Sequence, residues 1–237
     1  MKYLRAISLS VVLVTMILFL AEYAVRKGDA RQYIPRGYQV ITKTSWHPVG
    51  MPPVLNSIDV RWVNSEGEWK RISYPASGKS PKVLLSSKSG VFRVNVQAEE
   101  LQLLREYSDP NIKLRSVEGI KSIPGFHRED SLLGYKTYVI KKIIGGKDNV
   151  SVEFHISPEV GHIPLKAIIH RDAGDAVTEA ISLTYMDVGA DVISKPDLPV
   201  KLDFLNREIE RYDEKGLRED ADSLRSIIKR WQGKSSQ

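Results

Sequence analysis

Between residues 57 and 186, apolar and polar side chains alternate with a period of two, the spacing of strands that bury one face. Residues 57–63 set Ile58, Val60 and Trp62 against Asp59 and Arg61; a turn at Asn64-Ser65-Glu66-Gly67 and a return over 68–74 complete a hairpin. A second hairpin is predicted from 82–86 and 91–96 about Ser87-Lys88-Ser89-Gly90. Residues 135–144, 150–156, 165–171 and 177–186 continue the series with short polar turns. Close spacing of this kind predicts an antiparallel meander, since parallel strands need a long crossover between them. Upstream, one strand is expected over 38–46, followed by the proline-rich Met51-Pro52-Pro53. Residues 98–107 read as a short helix, with Leu101, Leu104 and Tyr107 on one face, and 110–130 as irregular.

Two other patterns bound this region. Residues 6–21 carry no charge and include ten Leu, Ile, Val or Phe residues behind a basic start, Met1 to Arg5. Extended through Val25, the run is long enough to cross a bilayer. Lys2 and Arg5 would hold the N-terminus in the cytoplasm. A cleaved signal peptide is the alternative, but the small residues of Gly28-Asp29-Ala30 come only after Arg26-Lys27. At the other end the period changes to that of a helix. Leu202, Leu205, Ile209 and Tyr212 form one apolar stripe, and Leu217, Ala221, Leu224, Ile228 and Trp231 a second, with Gly216 between them. The expected order is therefore a signal-anchor over 1–27, a linker over 28–37, a β-domain over 38–198 and a helical hairpin over 199–237. The fold class is mainly β (α+β), a curved antiparallel half-barrel sheet with an N-terminal transmembrane helix and a C-terminal helical pair. The helices either pack on the sheet or offer Leu205, Ile209, Leu224 and Ile228 for self-association or an envelope protein partner.

Charge alters this picture little. The net charge is +6 over 237 residues. Half of the excess lies in the first 31 residues, so no basic stripe of the nucleic-acid-binding kind is left. The absence of cysteine excludes disulfides, thiol catalysis and zinc–thiolate sites. Ser77-Gly78-Lys79-Ser80 ends like a phosphate-binding loop, but Ser73 stands where its first glycine belongs and a strand follows instead of a helix. No nucleophile elbow and no His-Glu-x-x-His pair occurs, and no cofactor is implied. Of the five histidines, His155 shares a strand face with Glu153, opposite Phe154, and His170 with Lys166 is expected on a neighbouring strand. Glu153, His155 and His170 are thus a candidate divalent-metal set, set against the ordinary reading as polar residues of a solvent-facing strand side.

At the meander the chain resembles the lipoprotein-carrier (LolA/LolB-like) superfamily. The resemblance rests on Gly134-Tyr135-Lys136-Thr137, Glu153-x-His155, Ser157-Pro158-Glu159-Val160-Gly161, Pro164-Leu165-Lys166, Glu179 and the hairpin from Val60-Arg61-Trp62 to Trp69. It covers residues 38–195. It implies a half-open curved sheet with an apolar concave side that holds acyl chains and catalyses no reaction. Trp62, Val152, Phe154, Ile181 and Leu183 are then the candidate ligand-lining residues. The carriers lack a transmembrane anchor and this helical pair. The reading is a non-enzymatic, single-pass inner-membrane protein with a periplasmic domain that binds a hydrophobic ligand, such as a lipid or acyl chain, or an envelope protein. An assembly component acting through its terminal helices, and a metal-assisted hydrolase, are the rivals.

Overall fold

The computed structural model describes residues 37–106, 116–144, 150–160 and 164–234. The expected anchor and nearly all of the linker lie outside them. Among the described residues no helix is long and apolar enough to cross a membrane.

Twelve strands form in chain order: β1 (Tyr38–Pro48), β2 (Val54–Val63), β3 (Trp69–Pro75), β4 (Lys82–Ser87), β5 (Gly90–Asn95), β6 (Glu100–Arg105), β7 (Phe126–Leu132), β8 (Tyr135–Ile144), β9 (Val150–Ile156), β10 (Lys166–Arg171), β11 (Gly174–Tyr185) and β12 (Val200–Lys201). The helices are α1 (Val117–Lys121), α2 (Ala190–Ile193), α3 (Asp203–Glu214) and α4 (Arg218–Lys234). Hydrogen bonding orders the strands β12-β6-β5-β4-β3-β2-β1-β11-β10-β9-β8-β7. The mainly β class and the C-terminal helical pair stand as expected. From β3 to β6 and from β7 to β11 consecutive strands pair antiparallel, and β12 adds one parallel pairing to β6.

The described chain divides into two compact units, with boundaries within β1, within β2 and after β11. In the first, built from residues 40–59 and 116–185, the core is Tyr138, Ile140, Val152, Phe154, Ile156, Ala167 and Ile169, covered by Ile120 and Ile123. The cross-strand rows Val152–Ile169–Ala176 and Ile140–Phe154–Ala167 show why these residues meet: directly paired residues point to the same side of a sheet. Ser116 caps α1 by accepting a hydrogen bond from the Gly119 amide (2.9 Å). Gly174 is required by close approach, because a Cβ there would lie 2.3 Å from the His47 carbonyl oxygen at φ +137°.

In the second unit, residues 37–39, 60–106 and 186–234, the core is Leu85, Phe92, Leu101, Leu103 and Leu205. Phe204, Leu224, Ile227, Ile228 and Trp231 pack against it. Trp231 meets Phe92 edge to face at 5.7 Å. The helical stripes are therefore used within the unit. Leu205 is fully buried, and Leu224 and Ile228 pack against the same core while, like Ile209, staying partly exposed.

Several elements depart from expectation. The helix read over 98–107 is strand β6 for its described part. Pairing with β5 turns Leu101 and Leu103 inward two residues apart, and burial of that pair overrides the helix preference of a leucine-rich run. The stretch 110–130, expected to be irregular, contains α1 and β7. β7 is an edge strand whose exposed His127-Arg128-Glu129-Asp130 conceals it in a hydropathy pattern. Ser77-Gly78-Lys79-Ser80 lies in the connection from β3 to β4 and leads into a strand, as expected of a chance match.

Candidate functional site

The sheet of the first unit presents two unlike features. On the side away from its apolar core, β7 to β11 carry a charged row. Glu153 and His155 were expected to face solvent, but each is only 5% exposed. The His155 Nε2 donates to Glu153 Oε1 at 2.9 Å, and Nδ1 lies 3.4 Å from Asp130 Oδ2. Lys141 Nζ (3.1 Å) and Arg128 (3.4 Å) also reach the Glu153 carboxylate. Burial pushes the Glu153 carboxyl upward, but Lys141 and His155 outweigh it and hold the group below the ordinary carboxylate range. Lys43 and Lys166 do the same for Glu179. Lys43, Arg128, Lys141 and Lys166 thus each reach a carboxylate.

The candidate metal set is not brought together. Lys166 sits opposite His155 and His170 opposite Ser151, so the two histidines are four strand positions apart, roughly 13 Å at ~3.3 Å per residue. His170 bonds Asp175 instead (3.0 Å). Both ring nitrogens of His155 face carboxylates, which leaves neither open to a metal ion or a substrate proton. Among the described residues no group of three His, Asp or Glu side chains is placed to hold a metal.

The proposed ligand-lining residues are also dispersed. Val152 and Phe154 are nearly fully buried in the core. The register places Glu179 with Lys166 and His155, on the opposite side from Phe154. By alternation along β11, Ile181 and Leu183 share that opposite side. Trp62 is half-buried in the second unit. Four of the five cannot line one cavity, because a strand's successive residues face opposite ways.

The second feature is the β1–β2 hairpin tip. Val49, Met51, Val54 and Leu55 are 73%, 64%, 55% and 45% exposed, and Gly50, Pro52 and Pro53 between them are exposed as well. Gly50 takes φ +72°, and the Met51 amide donates to the Pro48 carbonyl (3.3 Å), closing a tight turn. Seven consecutive residues without a charge or a hydrogen-bonding side chain face water. Scattered exposed apolar residues are normal, but a contiguous apolar patch marks an interaction surface. In the sequence this stretch reads only as a proline-rich connection after the strand expected over 38–46. Its available signal was the absence of Lys, Arg, Asp and Glu from 44 to 58.

No protein-family model and no curated protein matches the chain. Solved structures resemble it. An uncharacterised conserved protein of Thermus thermophilus shares 10% identity over 80% of this chain and 98% of its own, with a TM-score of 0.46. A LolA superfamily protein of Nitrosomonas europaea shares 10% over 76% and 97%, at 0.37. MucB of Pseudomonas aeruginosa, in complex with MucA, shares 14% over 76% and 60%, at 0.42. A LolA superfamily member thus stands among the similar structures, as the motif resemblance anticipates.

Proposed function

We propose that the chain is a non-enzymatic, extracytoplasmic LolA-like β-domain, held at the inner membrane by its N-terminal apolar segment. In this reading it contacts lipid through the β1–β2 tip. The observation that carries the reading is the uninterrupted apolar exposure of residues 49–55. Burying Val, Leu and Met side chains in acyl chains removes apolar surface from water, and the tip holds no charge to be desolvated. The occupied nitrogens of His155 and the dispersal of the metal candidates support a binding role over a catalytic one. An apolar groove on an envelope protein is the competing occupant.

Because the chain has no cysteine, Met51→Cys admits a single environment-sensitive fluorophore. In the full chain reconstituted into phosphatidylcholine vesicles, its emission should shift blue and be quenched by nitroxides on the lipid chains. Adding Val49→Ser and Leu55→Ser should reverse both effects. A label that stays water-exposed and unquenched would remove lipid contact from the reading.

A further inference from the structure

The hydrogen-bonded run of strands has two edges. One, β12, is two residues long. The other, β7, is seven residues long, and among the described residues it pairs with β8 on one side only. Its residues His127 to Ser131 are exposed. Such an edge offers unpaired backbone groups to another strand. A bulge between Phe126 and Arg128 limits the regular stretch to Arg128–Leu132.

Charged residues on an edge ordinarily keep strands apart, but here their order is self-complementary. Arg128 pairs with Val139 and Asp130 with Thr137, so both point to the charged side of the sheet. Glu129, opposite Tyr138, points to the core side. Because directly paired residues share a side, β7 can meet its own copy antiparallel only in registers centred on a residue. Centring on Glu129 sets Arg128 against Asp130 of the second copy, and Asp130 against Arg128 of the second copy. Centring on Arg128 or on Asp130 sets like charges together in the middle and gains no Arg–Asp pair. The two Glu129 side chains that then face each other are already neutralised, since each carboxylate bonds Lys121 (2.7 Å) and Lys136 (2.5 Å). Arg128 and Asp130 are 45% and 39% exposed, and their ion pairs within the chain are long: 3.8 Å to each other, 3.4 Å to Glu153 and 3.4 Å to His155. Asp130 keeps its other oxygen on the Ser131 amide (2.8 Å).

We propose that β7 is a self-association edge, on which a second copy of this chain adds its own β7 antiparallel across a two-fold axis at Glu129. The contact is isologous, so it closes on a dimer, and the two-residue β12 leaves little edge to extend it. About five residues from each strand make an interface below the standard size. Association is therefore weak in dilute solution and grows where chains are confined together, as in a micelle or bilayer. The edge stands on residues apart from the hairpin tip, and either can fail without the other.

The chain has no cysteine, so single substitutions report the contact. In the full chain in neutral-detergent micelles, Glu129→Cys should form a disulfide-linked dimer under mild oxidation, because its Cα would lie about 4.5–5.5 Å from that of its copy. Glu219→Cys, exposed on α4, controls for chance collision and for association through the N-terminal segment. Linking at position 129 should run about tenfold faster than at 219, as a preformed contact raises the local concentration. Adding Arg128→Asp to Glu129→Cys, or instead adding Asp130→Arg, should suppress linking. Mixing these two double variants should restore it, since Arg and Asp again face each other across the axis. Arg128→Gln, which places no new charge beside Glu153, should also slow linking and keeps the test open if Arg128→Asp disturbs the sheet. Equal rates at 129 and 219, linking indifferent to all three changes, or no recovery in a mixture of folded variants overturns the proposal.

Discussion

Glu153 is where single-residue chemistry weighs most. Its carboxyl is held below the ordinary range, so the folded state binds this proton less readily than the unfolded chain. The associated stability is present above the ordinary carboxylate pKa and lost as pH falls through and below it. Glu153→Gln should therefore lower stability at neutral pH by roughly 1–2 kcal/mol, less than for a wholly buried pair because Lys141 and Arg128 are about half exposed. It should also flatten the decline in the urea midpoint as pH falls below about 4.5. Glu129, exposed between Lys121 and Lys136, is lowered to about 2 by their hydrogen bonds. Its contribution should fade only as pH drops from about 4.5 toward 2, visible as a late step in acid titration. Leu133 offers the opposite case. It holds φ +54° in the turn between β7 and β8 and is exposed. Leu133→Asn should raise the thermal midpoint, worth about 0.5–1 kcal/mol, since asparagine tolerates this backbone region better. Of these features, the pairing of Glu153 with His155 was legible from their spacing. Their burial was not, because Arg128, Asp130 and Lys141 come from other strands.

Among the elements, β6 and the helical pair depend on each other. Leu101 and Leu103 face Leu205 and the residues of α4, so the helices complete a core that the sheet lacks alone. Truncation before Asp203 should expose this apolar face, raise binding of a hydrophobic dye and lower the urea midpoint. A folded, dye-silent sheet after truncation would contradict the packing. Leu205→Ala should cost about 2–5 kcal/mol as a fully buried leucine. The stripe at 202, 205, 209 and 212 announced the helix in the sequence. Its partner surface was hidden because residues 98–107 satisfy helix and strand spacings alike until β5 is placed beside them. The same limit hid β7, whose exposed charged residues carry no alternation.

For the molecule as a whole, two cores serve one hydrogen-bonded run of strands. Phe154→Ala and Phe92→Ala remove a fully buried ring from each core in turn. Each should cost roughly 3–5 kcal/mol, and hydrogen exchange should speed up most within the unit that carries the change. Period-two alternation by itself determined a mainly β protein, and period 3.6 at the C-terminus determined its helices. Those signals are local, because a side chain's face follows from its own strand or helix. Tertiary structure decided which faces are covered. It sent Phe154 and Ile181 to opposite sides, separated His155 from His170 and left the hairpin tip bare. Cross-strand register and chain packing join residues far apart in sequence, and no local period encodes them.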